Sequence, residues 1–538
     1  MEQGRDVDVD PTEEKRSESG SLSHRWRFGL TMLALYLPPL LVYLDNSIIA
    51  TAIPKITDEF HSLYDVGWWL ARLFYFSQDR LSRYLMANAA TRLLYGKLYT
   101  VLDIKLVFIA AIMIFEVGSA ICGAAPNSAT LIVGRTIAGC GGAGAIAGTY
   151  MLVAYTVPLT QRPFYIAMFT VVGGLANVAG PPIGGLLTDK LSWRYCFYLN
   201  LPIGAISLLI LLFVFEMPES AKHQRPRLAL SQLVAQLDPW GNISVIPAIV
   251  SLLLALEWGG STYSWNSGRI IGLFVVSGIL FVVFVAVQIW QKDAATLPLR
   301  VVKQRSIWSG AWFAMFHGAS NNIILIYVPL WFQAVKGTSA VQSGIYTLPQ
   351  LACVVIGSLV GAACTSYLGY YIPTVLFSSC FLSIGTGLFT TFAPGTSTAR
   401  WVAYQALYGL GIGSGFQGPL MAAQTVLPLI DIARGTSLIM FVQFLGGAVG
   451  IAAAQSLFAG NLFKGLRGVP DVDVQRVIAA GATGLRGKDV VPPAALNAVL
   501  SIYNSAVVST FRVALVVSAL SILGGSIMEW KNVRNKTE

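Results

Sequence analysis

Between Lys336 and Arg400 the sequence carries no Asp, Glu, Lys or Arg. A stretch that long without a charge cannot form the surface of a water-soluble domain. It has room for two membrane-crossing helices of about 20 apolar residues each, with a turn at Gly369–Tyr371 between them. The remainder of the chain agrees: of 538 residues, 55% are hydrophobic and 12% charged, about half the charge of an ordinary soluble domain. A soluble multidomain enzyme is excluded on this ground, and the fold class is an all-α polytopic membrane protein. The net charge of +10 is spread between apolar runs rather than gathered in one patch, so nucleic acid is not the expected partner; the lipid bilayer is. The six cysteines form no CxxC pair, and neither a metal nor another cofactor is expected.

Apolar runs suited to crossing lie at 28–53, 106–125, 129–157, 164–187, 196–215, 240–256, 270–290, 307–335, 342–365, 372–392, 401–422, 437–460 and 507–528. Residues 67–99 are harder to place, because Arg72, Asp79, Arg80, Arg83 and Arg92 interrupt them and each charge at mid-bilayer costs about 2.5–3.5 kcal/mol on insertion scales. The distribution of basic residues decides. If this region crosses, over about 81–99, the chain makes fourteen crossings with both ends inside. Inside segments then hold 19 Lys and Arg and the short outside loops six, as the positive-inside tendency requires. Without that crossing the bias reverses. The expected organisation is a cytoplasmic tail (1–27), a six-helix half (28–217), a cytoplasmic loop with two inserted helices (218–291) and a second cytoplasmic loop (292–306). A second six-helix half (307–530) with an extracellular loop (461–506) and a short cytoplasmic tail (531–538) follow.

The two halves repeat each other. Arg135, Gly139, Gly141 and the pair Pro158-Leu159 recur at an offset of 270 as Gln405, Gly409, Gly411 and Pro428-Leu429; Asn177, Gly180 and Gly184 recur at 266 as Gln443, Gly446 and Gly450. Such repeats build transporters that bind substrate near the midplane between the halves. On that reading helices one to six and nine to fourteen are equivalent, and 240–256 and 270–290 are an inserted pair.

Asp45 in the first span is a candidate proton site, since an intramembrane carboxylate is costly and desolvation favours its neutral form. The plainer alternative is a polar contact near the helix end. Arg135 in the fourth span either tunes such a carboxylate or snorkels. Glu116 in the third span is a second protonatable site or a packed carboxyl. Gly174, Gly180, Pro181, Pro182, Gly184 and Gly185 in the fifth span permit close helix approach and a bend, serving as a gate or as packing. Gly139–Gly144 formally matches GxGxxG, but no strand precedes it. With no Walker loop in the sequence, an ion gradient is the expected driving force.

These residues resemble the major facilitator superfamily, in particular its fourteen-span drug:proton antiporter branch of fungal type, over about residues 40–530. Leu44-Asp45-Asn46-Ser47 through Pro54 resembles the first-helix motif, Gly134-Arg135-Thr136 through Gly139 the fourth-helix motif, and Gly174 through Gly185 the antiporter motif of helix five. The resemblance implies two six-helix halves plus two inserted helices, with proton-coupled efflux of small amphipathic compounds (drugs, toxins or secondary metabolites) by alternating access. Asp45, Arg135 and Glu116 are then the coupling groups, and Asn177, Gln405 and Gln443 the candidate cavity residues. The alternatives are proton-coupled uptake of a siderophore or nutrient and a non-transporting sensor. A monomer in the plasma membrane is expected, with the vacuolar membrane as alternative. The loop motif after helix two survives as Gly96, Lys97 and Lys105, with Thr100 where its acidic residue usually stands. About fourteen residues, 71–84, are extra to the family pattern and read as a retained intron, a gene-model error or a genuine insertion.

Overall fold

In the computed structural model, residues 11–60, 69–217, 236–260, 263–470, 472–486 and 490–534 are described. They form long helices joined by short turns, with one isolated β-bridge, Gly259 to Tyr263, among them. The first half comprises α1 (Pro11–Glu59), α2 (Trp69–Val101), α3 (Ile104–Gly123), α4 (Ser128–Thr156), α5 (Arg162–Lys190) and α6 (Tyr195–Phe213). The inserted pair is α7 (Pro239–Trp258) and α8 (Gly268–Gln291). The second half comprises α9 (Arg305–Ala334), α10 (Leu348–Leu368), α11 (Ile372–Phe389), α12 (Thr398–Gly415), α13 (Leu429–Leu466) and α14 (Leu496–Ile527). Side-chain caps start several of them: Asp103, Asn127 and Ser267 accept the N–H groups of Leu106, Thr130 and Ile270, satisfying donors that a helix start leaves free. Gly369, at φ 75°, ends α10 with its N–H on the Thr365 carbonyl, a left-handed conformation that glycine adopts without steric cost.

Among the described residues twelve helices are long and apolar enough to cross a membrane; α2, with its charges, and α12, rich in glycine, fall outside that set. Both still run the length of the bundle. Lys105 at the start of α3 bonds the Phe215 carbonyl beyond the end of α6, and Arg27 of α1 pairs with Glu216, so these ends lie together. Lys55 near the end of α1 pairs with Asp189 of α5 at the opposite end. Helix α2 therefore traverses from the far end back to the end that holds residues 27, 105, 216 and 530.

Several boundaries differ from the sequence expectation. Helix α1 starts at Pro11, inside the expected tail. Helix α2 begins at Trp69 rather than near 81. Residues 71–83 lie in it, but their side chains are outside the described set, whereas Tyr84 is fully buried. Helix α13 extends beyond 437–460 at both ends, and α14 begins at Leu496, ahead of 507. The expected loop 461–506 shortens accordingly and contains a further helix, Val474–Gly484, with Val477, Leu485 and Val491 packed into the core. Polar residues past the apolar run continue a helix freely where water or protein, not lipid, surrounds them. The 401–422 run breaks at Phe416–Gln417 and resumes as Gly418–Val426.

The repeat is visible in the packing. Helix α4 lies against α2 and α3 as α12 lies against α10 and α11; α1 packs on α5 as α9 packs on α13. The equivalence reaches single atoms. A Cβ on Gly139 would sit 2.4 Å from the Tyr84 carbonyl oxygen, and one on Gly409 would sit 2.5 Å from that of Gln350. A Cβ on Gly141 would meet the Phe115 nitrogen, and one on Gly411 the Leu382 nitrogen. Small residues at these points let helix backbones approach closely where no hydrophobic drive acts between them. The halves meet through two equivalent seams, α2 on α13 and α5 on α10; α7 covers the first seam.

The core is asymmetric between the two ends. At the end holding residues 27, 105, 216 and 530 one hydrophobic cluster joins both halves, from Met32, Tyr99 and Met151 to Ile307, Leu427 and Ile439. At the far end there are two separate clusters, one wholly in the first half around Ile48, Leu131 and Trp193, the other wholly in the second around Trp331, Phe389 and Trp401. One core thus joins the halves at the first end, while at the far end each half keeps its own core and α2 touches the Val474–Gly484 helix of the second half.

Candidate functional site

Arg135 of α4 and Asp45 of α1 form a fully buried ion pair: guanidinium Nη1 donates to carboxylate Oδ2. Asp45 lies in the interior of the bundle rather than near a helix end, and Arg135 about two turns into α4, too deep to snorkel. Helix α6 supplies Asn200, whose Nδ2 reaches Asp45 Oδ1 at 3.4 Å and the Ser119 hydroxyl of α3 at 3.1 Å. The Tyr84 ring lies 4.3 Å from the Arg135 guanidinium carbon, a cation–π contact in a desolvated site. One cluster thus connects α1, α2, α3, α4 and α6. It is not saturated: Arg135 Nε and Nη2, Asn200 Oδ1 and the Tyr84 hydroxyl are buried without a hydrogen-bond partner. Spare donors and acceptors around a charge pair allow it to rearrange when one member changes protonation.

Glu116, about one turn from Ser119 on α3, is buried with both carboxylate oxygens unpartnered. It abuts Gly204 of α6 so closely that a Cβ there would lie 1.8 Å from Oε1. Gly204→Ala is therefore expected to lower the melting temperature of the purified protein, and Glu116→Ala in the same chain to recover most of the loss. A melting temperature untouched by Gly204→Ala would show that Glu116 turns away freely.

The helix-five motif divides by position. Gly180 seats α5 on α1, where the Ser47 hydroxyl donates to the Ala176 carbonyl at 2.9 Å. Gly174 faces the other half, with room for a Cβ only 3.0 Å from Val355 of α10. Nothing lies within 4 Å of a Cβ at Gly185; Gly184 is buried and Pro181 and Pro182 are exposed. The two prolines, inside an unbroken helix, supply no N–H to the carbonyls of Asn177 and Val178.

The loop motif also divides. Gly96 presses on α13, with a Cβ position 2.7 Å from the Cβ and hydroxyl of Ser437. Lys97 is buried and donates to the carbonyls of Ala294 and Ala295 at 2.7 and 3.0 Å, in the linker after α8. With Thr100 at the usual acidic position, backbone carbonyls receive the ammonium group. Lys105 turns instead to the end of α6. Beside Lys97, Asp431 of α13 accepts Arg434 at 2.9 Å and Arg300 at 2.8 Å, and Arg300 also reaches Asp293. Asp238, at the start of α7, takes the Gln288 amide, the Thr296 N–H and the Thr296 hydroxyl. The inserted pair and its linker are thereby fastened over the end with the shared core. At the far end Glu59 accepts Trp193 and Arg194, contacts that hold its carboxyl below the usual range, the Trp193 bond most of all. That clamp is present at neutral pH and lost as pH falls through the lowered value.

Of the three cavity candidates, Gln405 is fully buried with both amide atoms unpartnered, Gln443 is partly buried against His317, and Asn177 is exposed. Sequence reasoning did not single out Asn200, Ser119, Tyr84, Asp431, Arg434 or His317. The Asp431–Arg434 spacing, one helical turn after Pro428, is the one signal that could have flagged any of them.

The family model of the Major Facilitator Superfamily matches residues 39–451. The chain is 46% identical over 516 residues to an MFS-type efflux pump of Arthroderma benhamiae, covering 95% of this chain and 92% of that one. It is 45% identical to the efflux pump roqT of Penicillium rubens, covering 96% and 94%, and 42% identical to the efflux pump aflT of Aspergillus parasiticus, covering 97% and 99%. Among solved structures, a proton:xylose symporter aligns over 91% of this chain and 95% of its own with a TM-score of 0.57 at 13% identity, a likeness of fold.

Proposed function

The chain belongs to the major facilitator superfamily, and from that membership we propose that it exports small amphipathic compounds, drugs, toxins or secondary metabolites, in exchange for protons by alternating access. The observation that carries the coupling is the Asp45–Arg135 pair: fully buried, bridging two helices of one half, and flanked by unfilled hydrogen-bonding capacity. The efflux pumps among its relatives support the direction.

In this reading all fourteen long helices cross the bilayer, α2 and α12 included, with both chain ends in the cytoplasm. The end with the shared core is then cytoplasmic and the end with separate cores external, the arrangement of an outward-facing conformation. A proton arriving from outside neutralises Asp45 and releases the Arg135 guanidinium toward Asn200 and Tyr84. Glu116, about a turn nearer the cytoplasmic end, receives the proton next. The change in charge loosens α1 and α4 relative to α3 and α6, and the halves rock on the α2–α13 and α5–α10 seams. Gly174 and Pro181-Pro182 let α5 follow. The transporter acts as a monomer in the plasma membrane, and membrane fractionation separates this from the vacuolar alternative.

The test is efflux of rhodamine 6G and fluorescein from cells expressing the chain, beside Asp45→Asn and Arg135→Ala and with a protonophore. Energy-dependent loss of either dye, abolished by both substitutions and by the protonophore, is expected. Dye efflux indifferent to the protonophore, or accumulation in place of efflux, would overturn the reading.

A further inference from the structure

Most buried cations of the helices are satisfied by carboxylates or, as with Lys97 and Arg162, by backbone carbonyls. Arg135 pairs with Asp45, Arg300 and Arg434 share Asp431, and Lys55 and Arg194 meet Asp189 and Glu59 near the far end. Arg92 has no carboxylate partner among the described residues. Its Nε donates to Asn88 Oδ1 at 2.9 Å, and Asn88 in turn donates to the Gly139 carbonyl, so the side chain is oriented from α2 and α4. The guanidinium carbon lies 5.6 Å from the Phe444 ring of α13, across the seam between the halves. The titratable groups that face it are the phenols of Tyr43, Tyr150 and Tyr84, all neutral near pH 7. Its two terminal amino groups have no described hydrogen-bond partner, and the residue is partly exposed rather than sealed.

Position gives this cation a role. One turn further along α2, Gly96 closes against Ser437. Arg92 therefore lies one turn beyond that contact, at the α2–α13 seam against Phe444, and on the outward-facing reading above it faces the path between the halves. Phe444 adjoins Gln443, whose amide nitrogen approaches His317 Nδ1 at 3.5 Å. An unpaired arginine in the membrane interior is costly unless an anion or water completes it, and its planar fork suits two oxygens of one group.

Resting on the transport reading above, we propose that Arg92 is the recognition cation of the substrate site and that the cargo is an organic anion. A carboxylate, enolate or sulfonate oxygen pair takes the terminal amino groups of Arg92, and the apolar body of the same molecule lies against Phe444. A lipid phosphate is the other source of such oxygens, but headgroups sit at the bilayer surface, far from this depth.

The experiment measures binding to the full chain in nanodiscs of zwitterionic lipid, with fluorescein as the anionic probe and rhodamine 6G as a cationic probe of similar ring system. Wild type is expected to bind fluorescein more tightly than rhodamine 6G. Arg92→Gln should weaken fluorescein about tenfold or more, the scale of a lost charge-assisted hydrogen bond, and leave rhodamine 6G within about twofold, with Arg92→Lys intermediate for the anion. The unchanged rhodamine affinity shows that Arg92→Gln remains folded. Equal weakening of both probes, or a wild type that prefers the cation, overturns the proposal. Loss of the transport reading shows itself separately, as absence of protonophore-sensitive efflux in wild type while the binding difference persists.

Discussion

Asp45→Asn is expected to abolish proton-coupled efflux, lowering its initial rate at least about a hundredfold, where each factor of ten corresponds to 1.36 kcal/mol. The substitution is nearly isosteric and keeps an acceptor near Arg135 Nη1 and Asn200 Nδ2. What it removes is the charge that both balances the guanidinium and takes up the proton. Breaking a buried pair by removing one partner costs about 3–5 kcal/mol, because the other charge stays buried and uncompensated. Lower protein yield is therefore expected together with lost transport, and yield alone could mimic a functional defect.

The double variant Asp45→Asn/Arg135→Gln separates the two effects. With both charges replaced by amides of similar size, stability should return to near the wild-type value or above it, since an isosteric neutral pair escapes the desolvation cost. Efflux should remain absent, because the carboxylate that takes up the proton between α1 and α4 is gone. Melting temperature and initial rate measured on the same preparations check this. A double variant that regains protonophore-sensitive efflux would move the coupling site elsewhere, with Glu116, still buried and unpartnered, the first place to look.

Legibility in the sequence followed how rare each residue type is in its surroundings. Asp45 and Arg135 stand out because a charge within an apolar helix is costly, and the glycine spacings exposed the repeat because packed helix backbones tolerate nothing larger at Gly139, Gly141, Gly409 and Gly411. Asn200, Ser119 and Tyr84 are ordinary polar residues whose role exists only once α2, α3 and α6 converge on α1 and α4, and no spacing along the chain encodes that convergence. Arg92 reads in the sequence only as an obstacle to inserting α2; the fold places it against Phe444 of the other half. The three loop-motif residues look alike in sequence, yet helix direction sends Gly96 and Lys97 to the inter-half seam and Lys105 to α6. Helix ends were misjudged where apolar runs stopped short of the helices, as at α13 and α14, because hydropathy marks the bilayer and not the helix.

Gly96→Leu is expected to stop transport while leaving each half folded. A Cβ at Gly96 would lie 2.7 Å from both the Cβ and the hydroxyl of Ser437 and 3.2 Å from the Ala433 carbonyl oxygen, distances that backbone and a short side chain cannot yield to cheaply. The contact joins α2 of one half to α13 of the other, so the added bulk wedges the halves apart and spares packing inside either. The end with the shared core then cannot close, and the outward-facing state loses population. Shifting a two-state equilibrium from 1:99 to 99:1 takes about 5.5 kcal/mol, and overpacking typically costs about 1–3 kcal/mol, so a tenfold or greater loss of efflux is the reasonable scale. A cysteine introduced beside this contact, at Ala433, should react faster with a membrane-impermeant maleimide applied from the shared-core side in Gly96→Leu than in the parent. Ser437→Gly combined with Gly96→Ala should restore both efflux and protection, because it removes the hydroxyl and Cβ that the new methyl would strike. If Gly96→Leu transports normally, the α2–α13 contact is not a seal that opens and closes, and the rocking of the halves must pivot elsewhere.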